Sequence, residues 1–226
     1  MTHRAILFGA IGTLVDTSDM QRRAFNLAFK EAGLRWHWTR PIYAPMLATV
    51  GGRNRIRAYA DLRQETVDVA ALHAAKSRFY QQLMRAEGVA LRPGVADAIA
   101  RAKSEGMKLG WITTTSRVNV DAIIDAADGA LHADMFDLIT DRSMVTAPKP
   151  NGEVYLMALD RFVLTASEVI AVEDTPDSAR AAREAGIRVA AFEGAVAPDA
   201  AWPEGTVRCG DLSQLFEPAD LGQAAA

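Results

Sequence analysis

The sequence predicts an α/β fold: a parallel sheet flanked by helices and opened, after its first strand, by an all-helical insert. Three observations carry this. Short apolar runs such as Ala5–Phe8 and Val169–Val172 stop abruptly at glycine or polar residues, as strands buried on both faces do. Helical patterns of about ten residues separate such runs, the signature of βαβ units. No strand pattern appears between Gly12 and Gly88.

The elements follow in order. Ala5-Ile6-Leu7-Phe8 is a buried strand closed by Gly9 and by Gly12-Thr13. An amphipathic helix runs from about Asp19 to Glu31, with Ala24, Leu27 and Ala28 on one face and Gly33 at its end. Arg35 to Gly52 is rich in Trp, Pro and Arg and lacks clean periodicity. Within it, Trp36-His37-Trp38 either walls an entrance or packs with one ring buried and the other half exposed. Helical patterning resumes from about Arg53 to Leu62 and from Val67 to Arg85.

After Leu91-Arg92-Pro93-Gly94 the pattern changes. A helix (Val95 to Ser104) precedes the strand Lys108 to Ile112, then come a helix from after Ser116 to about Ala127 and a short strand near Phe136–Ile139. Asn151 to Phe162 reads as helix, Val169 to Val172 as strand, Asp177 to Ala185 as helix capped by Gly186, and Arg188 to Phe192 as strand. The insert spans roughly residues 16–89, and no internal repeat is visible.

Composition narrows the function. The chain has 226 residues, half of them hydrophobic and 23% charged, enough to bury a core without staples. The net charge of −3, with no basic block, lacks the electrostatic footprint of nucleic-acid binding. The single cysteine, Cys209, excludes an intramolecular disulfide and a thiolate zinc cage, and reads as a small inert apolar residue. The apolar stretch in MTHRAILFGAIG is too short and glycine-broken for a signal segment or a membrane span, so a cytoplasmic protein without membrane partners is expected.

In open parallel sheets, ligands sit at the carboxyl ends of the strands. Four segments fall there: Gly9–Asp16, Thr113–Ser116, Thr146–Pro150 and Glu173–Asp174. Thr113-Thr114-Thr115-Ser116 enters a helix, where hydroxyls and free N–H groups suit a phosphate; taken alone, simple capping by Thr115 or Ser116 is the plainer reading. Lys149, between Pro148 and Pro150, is either an aimed charge or a solvated surface lysine. Glu173-Asp174 is either a Mg²⁺ site or an N-cap with a neighbour. Gly9–Gly12 has neither Walker nor dinucleotide spacing.

Taken together, these segments resemble the haloacid dehalogenase (HAD) superfamily, in the branch with a helical cap after the first motif: phosphoglycolate phosphatases, β-phosphoglucomutases and pentulose-bisphosphate phosphatases. Thr113 matches its second motif, Ala147-Pro148-Lys149-Pro150-Asn151-Gly152-Glu153-Val154-Tyr155 its third, and Glu173-Asp174-Thr175-Pro176-Asp177-Ser178 its fourth. Gly51-Gly52-Arg53-Asn54-Arg55-Ile56 is similar to a cap loop that reads the substrate. The resemblance implies a Rossmann-like core of residues 1–15 and 90–226 with a helical cap of residues 16–89. It further implies phosphate binding by Thr113, Thr114 and Lys149, substrate contacts from Gly52, Arg53 and Arg55, and a metal at Asp174 and, through water, Glu173.

The first motif departs from the family. Active members read Asp-x-Asp-Gly-Thr-Leu-x-Asp; this chain reads Gly9-Ala10-Ile11-Gly12-Thr13-Leu14-Val15-Asp16. Gly9 stands at the nucleophile's position and Ile11 at that of the general acid/base, whereas Asp16 lies beyond the turn. Neither replacement can attack phosphorus or move a proton. The expectation is a phosphatase homologue without intact catalytic residues that binds a phosphorylated metabolite or a protein partner. A phosphohydrolase acting on phosphoglycolate or a sugar phosphate is the alternative. No cofactor is expected, with Mg²⁺ weakly held, and required only if the site still works.

Overall fold

A computed structural model describes residues 3–47, 51–194 and 201–216; the parts of the expected core and insert at 1–2, 48–50, 195–200 and 217–226 lie outside the described residues. Six strands form one sheet: β1 (Ala5–Phe8), β2 (Lys108–Trp111), β3 (Leu138–Ile139), β4 (Val169–Glu173), β5 (Arg188–Ala191) and β6 (Thr206–Arg208). Their order is β3-β2-β1-β4-β5-β6, and every pair is parallel. The chain leaves β1 for β2 on one side and later returns to β4 on the other. The strand order therefore reverses at β1, where a crevice opens beyond the carboxyl ends. The edge strand β6 carries no clear periodic signal and was not expected.

Helices α1 (Ser18–Glu31), α2 (Arg40–Met46), α3 (Gly52–Arg63) and α4 (Val69–Glu87) lie between β1 and β2, followed by α5 (Val95–Ser104). Next come α6 (Arg117–Ala126), α7 (Glu153–Phe162) and α8 (Pro176–Glu184). No helix among the described residues is long and apolar enough to cross a membrane. The two connections to the insert touch through an antiparallel bridge between Val15 and Leu91. Beside it, the Arg92 guanidinium stacks on Phe192 and donates to the carbonyls of Gly12, Phe192 and Glu193.

Several local expectations need correction. The irregular stretch contains α2, begun by Thr39 at its N-cap position with a proline in its first turn, a start that periodicity cannot reveal. Leu27 is 38% exposed: Phe25 and Phe29 turn the buried stripe of α1 toward Gln21, Ala24 and Ala28. Trp36 and Trp38 are both buried in an aromatic cluster with Phe25, Phe29 and Tyr43, so neither reading of that motif stands. Asn26 brackets the backbone of Trp38, and the Trp36 indole donates to Glu65 at 2.9 Å. The N-cap of α8 is Thr175, accepting from the Ser178 N–H, rather than Asp174.

Candidate active site

The two-residue alternation of strands decides which side chains meet at the crevice. Ile6 and Phe8 face one core layer with Leu109, Trp111, Ile170 and Val172; Ala5 and Leu7 face the other with Val169 and Ala171. Phe8 pairs with Val172, so the next residues, Gly9 and Glu173, stand side by side on the second face. That face also receives Tyr155 from α7.

Glu173 is only 1% exposed. Its Oε1 accepts from the Lys149 ammonium and from the Tyr155 hydroxyl. Lys149 donates as well to the Ile112 carbonyl at 2.9 Å and to the Tyr155 oxygen at 3.2 Å. Those partners match the three donors of an ammonium. Lys149 is 6% exposed, which overturns its reading as a solvated surface lysine: these buried acceptors draw it inward. The second oxygen of Glu173 turns toward Gly9. A Cβ built on Gly9 would lie 2.5 Å from that oxygen and 2.7 Å from the Thr13 hydroxyl.

Asp174 is buried beside it and accepts from the Thr13 hydroxyl at 3.3 Å. Its carboxyl lies against Gly12, whose φ of +91° and missing Cβ allow so close an approach. Burial, and then the neighbouring Glu173 carboxylate, push Asp174 up to about 7. Thr113 is fixed through its backbone: its N–H donates to the Thr140 hydroxyl, which donates back to the Thr113 carbonyl, both at 2.8 Å. The Thr113 hydroxyl accepts from the Thr115 N–H at 3.1 Å. Among the described residues, nothing accepts the N–H groups of Ala10, Ile11 or Thr114. Ile11 is half-buried against the apolar core.

The sequence matches the haloacid dehalogenase-like hydrolase family over residues 6–192. The chain belongs to this family. Protein CbbY (plasmid) of Cupriavidus necator is 40% identical over 194 residues, covering 81% of this chain and 76% of the relative. CbbY from Rhodobacter sphaeroides in complex with phosphate superposes with a TM-score of 0.83 at 34% identity, covering 95% of this chain and 96% of that one. A mutant of the same protein in complex with xylulose-(1,5)bisphosphate also gives 0.83, at 36% identity, over 98% of this chain and 100% of that one.

HAD phosphatases typically use Mg²⁺, which wants near-octahedral oxygen donors. Here positions 9 and 11 offer no carboxylate, and Glu173 is committed to Lys149 and Tyr155. Of the Glu173–Asp174 pair, only Asp174 is outside that ion pair, and among the described residues no three acidic, His or Cys side chains form a metal-holding group. The donor set does not fit the ion.

The expected substrate residues of the insert stand at the start of α3. Arg53 is exposed. Arg55 donates to the Met46 carbonyl at 3.0 Å and to the Tyr43 hydroxyl at 3.2 Å. Gly52 packs so closely on His73 that a Cβ would lie 2.9 Å from its ring. Sequence reasoning passes over Thr140, and it places Tyr155 in the third motif and Thr13 in the first without a role of their own. The signal for Tyr155 was its place six residues after Lys149, just inside a helix; that for Thr140 was a hydroxyl ending a strand.

Proposed function

We propose that this chain binds a small phosphorylated metabolite at the strand ends without turning it over by the covalent route of its family. Position 9 carries the reading: a glycine stands at the nucleophile's place, and the space its side chain would need is filled by Glu173. Ile11 can donate no proton to a leaving group, and that contribution alone is typically worth about 10²–10⁴ in rate. The binding half is supported by the N–H groups of Ala10, Ile11 and Thr114, which no described residue accepts and which follow the neighbouring strands β1 and β2, as suits an anion. It is also supported by the CbbY structures, which hold phosphate and a pentulose bisphosphate. In this reading residues 16–89 act as a cap, Gly52, Arg53 and Arg55 contribute to the ligand's distal part, and the compartment is the cytoplasm.

A second reading, a phosphohydrolase acting on phosphoglycolate or a sugar phosphate, is favoured by the 40% identity with CbbY across four-fifths of the chain. It needs a nucleophile other than position 9. Calorimetry with xylulose bisphosphate and phosphoglycolate, run beside a phosphate-release assay with and without Mg²⁺, separates the two. Binding without release is expected. Mg²⁺-dependent release that Asp174→Ala abolishes would establish the second reading, and absence of binding in every condition would remove the first.

A further inference from the structure

We propose that Gln81 is a positioning residue for the turn after β2: through Asn119 and Thr115 it ties helix α4 of the insert to the segment carrying the Thr113 hydroxyl and the Thr114 N–H. The inference rests on the reading that those groups take an anion.

The tie is a run of hydrogen bonds across the boundary between insert and core. Gln81 Nε2 donates to Asn119 Oδ1 at 3.1 Å. Asn119 Nδ2 donates to the Thr115 hydroxyl at 3.2 Å, and the Thr115 N–H donates to the Thr113 hydroxyl at 3.1 Å. Asn119 is buried, so losing a partner leaves part of its amide without water to replace it. Ser116 stands at the N-cap of α6 and makes no capping bond with its side chain, and Asn119 reaches past it to Thr115. The Asn119 side chain thus links α4 to the turn instead of capping α6.

A second crossing gives the tie leverage. The Val89 N–H donates to the Ala126 carbonyl at 2.8 Å, where the insert returns to the core. Asn119 and Ala126 are two helical turns apart, about 10 Å along α6. The chain from Gln81 to Val89 therefore runs beside α6 in the same direction and is held at both ends of the contact. Swinging α4 about the Val89 crossing draws Gln81 away from Asn119 and loosens its hold on Thr115. One residue earlier, the Tyr80 hydroxyl lies 2.7 Å from that of Thr17 at the start of α1, so the same stretch of α4 also holds the first connection. By linkage, an anion that needs the turn in place favours the docked α4, and the docked α4 favours the anion.

Two measurements on the full chain test this. The first follows the backbone amide resonances of the ligand-free protein. Gln81→Leu keeps much of the side chain's bulk and removes the donor. It should shift the Thr114 and Thr115 amides in the direction that Asn119→Ala shifts them. Resonances at 113–115 that Gln81→Leu leaves in place overturn the proposal. The second is calorimetry with inorganic phosphate, well below the unfolding temperature, where lost stability alone leaves affinity unchanged. Gln81→Leu should bind about fivefold more weakly than the wild type, the worth of one neutral hydrogen bond. In the Asn119→Ala background the same change should cost less than about twofold. Equal weakening in both backgrounds, or none where the wild type binds, overturns the proposal. Shifted amides with no phosphate bound by the wild type would keep Gln81 in its role at the turn and remove instead the anion-binding reading.

Discussion

Lys76, on α4, is 95% buried without an ion pair among the described residues, being 5% exposed. Its ammonium donates to Gln21 Oε1 at 2.7 Å and lies 5.0 Å and 4.7 Å from the ring centroids of Phe25 and Tyr80. Burial, and then the Arg55 charge, lower it from 10.5 to about 7. His73, one turn earlier, is lowered to about 4 by burial, Lys76 and Arg53. The unfolded chain keeps the Lys76 proton up to about 10.5, whereas the folded chain releases it from about 7. Between those values the unfolded state binds more protons, so this group makes stability rise with pH. At about 1.4 kcal/mol per unit, an interval of about three and a half units corresponds to about 5 kcal/mol at most. Lys76→Met keeps an apolar stem between the two rings and removes the charge. In urea unfolding at about pH 6, 8 and 10, the variant should exceed the wild type most at the lowest pH, and the margin should shrink as pH rises. Taking the difference cancels shared groups, including the Tyr80 and Tyr155 hydroxyls that burial holds protonated. A margin that is constant or grows with pH refutes the reasoning.

The other predictions concern the strand ends. Tyr155→Phe takes one donor from the buried Glu173 carboxylate and should destabilise by about 1.5–3 kcal/mol in chemical denaturation; a loss below about 0.5 kcal/mol would count against the hydrogen-bond account. Gly12→Ala forces a Cβ into the Asp174 carboxyl at positive φ, whereas Gly33→Ala meets open space at φ +70°. The first should cost at least about 2 kcal/mol and the second about 1 kcal/mol; equal losses would remove the role given to the Gly12–Asp174 contact. Gly9→Asp with Ile11→Asp should displace Glu173 from Lys149 and restore Mg²⁺ binding and weak Mg²⁺-dependent release from a phosphomonoester. A folded variant that binds Mg²⁺ but releases nothing would show that substrate positioning is lost as well.

The frame of this site was legible because strands buried on both faces write short apolar runs, and glycine or hydroxyl residues mark their ends. Ala5–Phe8, Lys108–Trp111, Val169–Glu173 and the segments after them lie where the sequence puts them. Edge and irregular parts were not legible: β6 is too short for a period, and α2 begins at a proline within an aperiodic stretch. The burial of Trp36 and Trp38 depends on Phe25, Phe29 and Tyr43, partners that no local pattern reveals. At the strand ends, sequence reasoning found Lys149 and Glu173 but not their mutual engagement. That pairing requires the sheet order and the inward face of α7, both long-range facts.

Electrostatics ties the missing carboxylates to the missing metal site. Glu173 and Asp174 against Lys149 sum to one negative charge (two carboxylates minus one ammonium), and the Arg92 guanidinium lies within electrostatic reach of Asp174. Lys149 and Glu173 cancel locally, and Asp174, raised to about 7, carries only part of a charge near neutral pH. Such a group can stay buried and balanced by itself. Adding carboxylates at positions 9 and 11 would make it strongly negative and dependent on a cation. Removing Lys149, Glu173 or Tyr155 would strand a buried polar group, a fault that costs stability whether or not the protein turns over a substrate. The contacts among Lys149, Glu173 and Tyr155 thus stabilise the fold at the strand ends in this chain. The covalent chemistry is reported by positions 9 and 11, where side chains serve little besides the reaction.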